Sequence, residues 1–134
     1  MIASKTIMPF PKEPENLREY AGIYYGINRK IRITQNNLTR DIDLIFPGLT
    51  SSMNIFDNSI LNLLEISCIP EDILKMEISR LKELLPENKV EKLIGLAKRS
   101  SSPKGMKDAI SFEVRSLIRT LRFLESEKDA AFNH

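Results

Sequence analysis

Apolar residues return every seventh position along the first third of the chain: Leu17, Tyr24, Ile31, Leu38 and Ile45. A second row, Tyr20, Ile27 and Thr34, falls three residues after each of the first three. Both rows share one narrow stripe of a helix, the arrangement that makes two helices wrap around each other. The stripe predicts a long helix over residues 15–46, roughly 40 Å at about 1.5 Å per residue. Pro14 suits its first turn, where a missing N–H costs nothing, and Glu13, Glu15 and Glu19 put negative charge at the positive end of the helix dipole. Phe46-Pro47-Gly48 marks the stop, because a proline drives the residue before it toward extended backbone. Gly22 and Gly26 lie off the stripe, at a cost of about 1 kcal/mol each relative to Ala. Either they are tolerated, or something passes close to the backbone there.

The rest of the chain also keeps helical spacing. Residues 1–14 form an extended lead-in, with Ile2, Ile7, Met8 and Phe10 as anchors onto a neighbouring surface. A turn rich in Ser and Thr spans Gly48 to Asn54, and four short helices are expected over residues 57–100. Asp57 caps the first, Pro70 opens the second, Pro86 stops the third at Leu85, and Val90, Leu93, Ile94 and Ala97 give the fourth a buried stripe. Past a flexible Ser100–Gly105 connection, residues 106–131 repeat a heptad seam through Ile110, Val114, Leu117, Leu121, Leu124, Lys128 and Ala131. No segment alternates with period two. The expected fold is a single all-α domain over residues 1–134. Its two long heptad-seamed helices pack antiparallel, and the four short ones cap one end as a subdomain. A seam longer than the folded body predicts a homodimer through Tyr24, Ile31, Leu38, Leu117, Leu121 and Leu124.

Composition narrows the chemistry. Across 134 residues, 42% hydrophobic and 28% charged is ordinary for a folded globular chain. No apolar run is long enough to span a membrane. Cys68 is the only cysteine, which excludes an internal disulfide and fits a reducing, cytoplasmic compartment. Its apolar neighbours Ile66 and Ile69 make it a small core residue. The only histidine is the terminal His134, too little for a zinc site, and no glycine-rich loop precedes a lysine to hold phosphate. Asp41 and Asp43, like Glu125 and Glu127, sit two positions apart and face different sides of a helix. All four are read as solvated surface charge. The expectation is therefore no enzyme, no metal or other cofactor, and no small-molecule substrate.

A net charge of +2 decides nothing, but its distribution is uneven. Between Asn28 and Arg40 stand Arg29, Lys30, Arg32 and Arg40 without an acid. Between Lys98 and Lys107 stand Lys98, Arg99, Lys104 and Lys107, again without an acid, around the serine-rich loop. Acid-free basic groups suit a phosphate backbone, and Arg29, Lys30, Arg32, Lys98, Arg99, Lys104 and Lys107 are the candidate contacts to DNA or structured RNA.

The order of landmarks resembles one family. Leu17-Arg18-Glu19 begins the long helix, and Asp43…Phe46-Pro47-Gly48 ends it. Ser59-Ile60-Leu61-Asn62-Leu63-Leu64, Ile69-Pro70-Glu71-Asp72-Ile73 and Leu81…Leu84-Leu85 follow. Then come Lys89-Val90-Glu91-Lys92-Leu93…Ala97 and Phe112-Glu113-Val114-Arg115…Leu117-Ile118. Together they resemble the middle region of insertion-sequence transposases with a DEDD, RuvC-like domain before it and a serine-containing domain after it. That group includes the pilin-gene inverting and bridge-RNA-guided recombinases. The resemblance implies a non-catalytic coiled-coil connector that dimerises and positions nucleic acid, with the catalytic acids and serine outside this chain. The chain departs from the family at Gly22-Ile23-Tyr24-Tyr25-Gly26, where members often carry arginines. The alternative, from another class, is a free-standing helical adaptor that binds proteins through its seam.

Overall fold

Prolines and glycines divide the chain into helices. The computed structural model describes residues 14–101 and 105–132. The helices are α1 (Pro14–Ile45), α2 (Leu49–Ser52), α3 (Asn58–Ile66), α4 (Pro70–Lys75), α5 (Ile78–Leu84), α6 (Glu87–Arg99) and α7 (Lys107–Phe132). No strand occurs among the described residues, and the fold is all-α. The extended lead-in with its anchors Ile2, Ile7, Met8 and Phe10, together with Lys104 and His134, lies outside the described residues.

At the end of α1 the Phe46 N–H donates back to the Ile42 carbonyl at 2.7 Å. Gly48 then turns the chain with φ 93°, a backbone that side chains resist. The short helices number five rather than four, because α2 forms where a turn is expected. Leu49 is fully buried there, and seating it winds Leu49–Ser52 into one helical turn closed by the Met53 N–H on the Leu49 carbonyl. Asp57 does precede α3, but its side chain makes no capping bond. Its carboxylate instead meets the Lys89 ammonium at 2.7 Å, tying the start of α3 to α6. Pro70 opens α4 with Glu71 and Asp72 in the first turn, as the dipole favours.

Two compact units emerge. The larger runs from Asn36 to Arg119 and takes in the end of α1, the five short helices and the start of α7. Its core joins Leu38, Ile42 and Ile45 of α1 with Leu63 and Leu64 of α3, Ile73 of α4, Leu93 of α6 and Val114 and Ile118 of α7, all wholly buried. Helix α6 packs on α4 and α5, and α5 on α3. Ile94, expected inside with Leu93, is only half-buried. The smaller unit holds α1 up to Gln35 and α7 from Thr120. Within it the Lys128 ammonium lies 5.4 Å from the centroid of the Tyr24 ring, a cation–π contact. Buried Thr34 donates its hydroxyl to the Lys30 carbonyl at 2.8 Å, a bond that keeps a polar side chain satisfied on the inner stripe. No helix among the described residues is long and apolar enough to cross a membrane.

Candidate functional site

The basic residues reach the surface for a simple reason. Burying Ile31 on the inner stripe of α1 turns its neighbours Arg29, Lys30 and Arg32 outward, and all three are exposed. Lys98 and Arg99 are exposed in the last turn of α6, where cations suit the negative end of the helix. Lys107 differs from the rest. It is half-buried, and its ammonium lies 3.9 Å from the Glu71 carboxylate, so part of its charge is already answered within the fold. The first cluster belongs to the smaller unit and the second to the larger.

The seam residues have a different fate. Leu38 and Leu121 are completely covered within the single chain, Ile31 is buried, and Tyr24, Leu117 and Leu124 are half-buried. Within the single chain, therefore, little of this row faces outward. What α1 presents instead is Ile23, 55% exposed, and Ile33, 52% exposed. On the same stripe lies Gly26, with Gly22 beside it, and a Cβ added at either glycine would meet nothing within 4 Å. The chain's own packing therefore does not require these glycines.

Asp41 corrects the reading of solvated charge. Its neighbours on the helix stripe, Leu38, Ile42 and Ile45, are core, and Asp41 goes in with them at 5% exposure. Glu113 of α7 hydrogen-bonds its carboxyl, and its Oδ2 is buried without a hydrogen-bond partner among the described residues. Burial, then the bond to Glu113 and that group's negative charge, push Asp41 up to about 7, against a smaller downward pull from Arg40. Asp43 stays exposed, as expected, and accepts the Thr50 hydroxyl. The signal for Asp41 was present in the sequence, since the heptad positions Leu38 and Ile45 carry 41 and 42 on the same face.

Cys68 is buried, as its context predicts, with Sγ 3.5 Å from the Ser111 hydroxyl. Burial pushes its thiol up, while the Ser111 bond and the Arg115 charge pull it down. Next to this pair opens a cleft of about 320 Å³. Ile66 and Ile69 supply its apolar wall, Ser67 and Ser111 its hydroxyls, and Asp72, Asp108 and Arg115 its charges. A second cleft, of about 250 Å³, contains the Asp57–Lys89 ion pair with Asn54, Asn88 and Lys92 around it. No family model, curated protein or solved structure matches the chain.

Proposed function

We propose that the chain is a non-catalytic helical region that positions nucleic acid and pairs with a second copy of itself in a transposase or recombinase of the cytoplasm. The reading uses no metal, cofactor or small-molecule substrate. The ordered landmarks from Leu17 to Ile118 motivate the family. The observation that carries the nucleic-acid half is the exposure of two basic groups that hold no acid in sequence, Arg29/Lys30/Arg32 and Lys98/Arg99. Exposed cations with no neighbouring acid are free to displace the counterions of a phosphate backbone. Phosphate contacts of this kind orient a duplex without reading its sequence.

Fluorescence anisotropy with a labelled generic duplex and a folded RNA, each in two salt concentrations, tests the reading. Weak, sequence-independent binding that falls steeply with salt is expected. Changing Lys98 and Arg99 to Gln should lower the salt slope by about 0.9 per cation on duplex DNA while leaving helicity unchanged. A folded protein that binds neither probe in low salt overturns the nucleic-acid half and leaves the adaptor reading in its place.

A further inference from the structure

We propose that the cleft beside Ser111 in the larger unit takes one unpaired base of a single-stranded nucleic acid, with Phe112 stacking on the base next to it. The inference rests on the nucleic-acid reading above but uses other residues. The cleft, about 320 Å³, falls at the small end of ligand sites and suits one planar group. Its wall is apolar where Ile66 and Ile69 would lie against the face of a ring. Its polar groups match the edge of a base. The carboxylates of Asp72 and Asp108 accept from ring N–H and amino groups, the Ser67 and Ser111 hydroxyls donate or accept, and Arg115 donates to a ring carbonyl.

The charge pattern separates a base from a phosphate. Two carboxylates at the cleft repel a backbone oxygen but welcome an amino group, so the backbone must pass outside. Outside, on the exposed face of α7, stands Phe112, 69% exposed, with Arg119 two helical turns further on and also in solvent. An uncovered phenyl ring offers a π face to any unstacked base, and a guanidinium two turns away reaches the backbone that carries it. Base faces and Watson–Crick edges are open only in a single strand or a loop, which excludes an intact duplex as the occupant.

The test is anisotropy at neutral pH with short labelled strands of oligo(dC) and oligo(dT) and with a duplex, using the full chain. Cytosine's amino group offers two N–H donors to the pair of carboxylates where thymine offers a single ring N–H, so oligo(dC) is expected to bind more tightly than oligo(dT) or the duplex. Phe112→Ala should weaken oligo(dC) binding about 5-fold or more and leave duplex binding and helicity as they are. The double change Asp72→Asn, Asp108→Asn should abolish the preference for oligo(dC) over oligo(dT). Duplex binding with no strand preference, or an unchanged Phe112→Ala, overturns the cleft alone. Binding to no probe at all removes the broader reading with it. If Phe112→Ala leaves strand affinity intact but converts a sedimenting dimer to a monomer, the face belongs to a second copy and this proposal falls.

Discussion

A carboxyl kept out of water holds its proton to unusually high pH, and Asp41 does so near neutrality. Its group titrates at about 7 in the folded chain against a usual 3.8. Below about pH 4 both folded and unfolded chains are protonated there, and the site costs nothing. As pH rises toward 7, the unfolded chain releases this proton while the folded chain keeps it, so stability falls. Above pH 7 both are ionised and the loss, at most a few kcal/mol, is complete. The charged groups around Asp41 are Arg40 on its own helix and Glu113 on α7, with the Cys68 thiol and Arg115 close by. Asp41→Asn, a neutral isostere, is expected to remove most of the pH slope of the thermal midpoint between pH 5 and 8, measured by circular dichroism; an unaltered slope refutes the assignment. Leu93, wholly buried, gives a plainer test. Leu93→Ala should cost about 2–5 kcal/mol in urea unfolding through lost burial and the cavity left behind. At this scale the apolar stripe of α6 was legible through Leu93 and blurred at Ile94, which sits at its edge and is partly in solvent. The fate of Asp41 was harder to see, because a polar residue is assigned outward by type even when its neighbours at three and four positions are core.

Helix ends were the most legible elements, since Pro14, Pro47, Pro70 and Pro86 act through local sterics and need no distant contact to take effect. α2 was not legible, because its one turn comes from burying Leu49 and not from any periodic pattern. The same limit applies to Asp57, whose position announces a cap while its carboxylate is drawn to Lys89, more than thirty residues away in sequence. Gly22 and Gly26 turn the open question about α1 into a measurement. A Cβ at either position meets nothing within 4 Å, and both residues lie well inside a helix of 32 residues. Gly22→Ala and Gly26→Ala should each stabilise the isolated chain by about 0.8–1 kcal/mol through helix propensity alone. Urea unfolding at low protein concentration reads this directly. A destabilisation there would mean that something within the chain already fills that space.

Two long seamed helices in one chain admit two solutions, and periodicity alone does not choose between them. Each seam can meet the other within the chain, or each can meet a second copy. Here Leu38 and Leu121 are fully covered without a partner, so these positions of the seam are interior. Changing Ile31 and Leu38 to Asp is therefore expected to unfold the chain, and circular dichroism should show lost helix in place of a folded monomer. For a dimer, the outer stripe of α1 offers Ile23 and Ile33, which remain half in water, and glycines that let another helix approach closely. An apolar pair left exposed on a helix this long gains by covering itself with its own copy, since the same stripe on both chains is self-complementary about a two-fold axis. Arg29, Lys30 and Arg32 stay free to meet phosphate only if that contact leaves their side of α1 uncovered, so pairing and nucleic-acid binding become linked measurements. Sedimentation at micromolar concentration should give a dimer for the unaltered chain and a fully helical monomer for Ile23→Gln with Ile33→Gln. That monomer should still bind the duplex, with a salt slope per chain unchanged, because neutral side chains add no carboxylate beside Arg29 and Lys30, which stand four and three residues before position 33. A natural chain that sediments as a monomer ends the dimer half of the proposal, and a monomeric variant that no longer binds would show that the phosphate contacts are assembled from both copies.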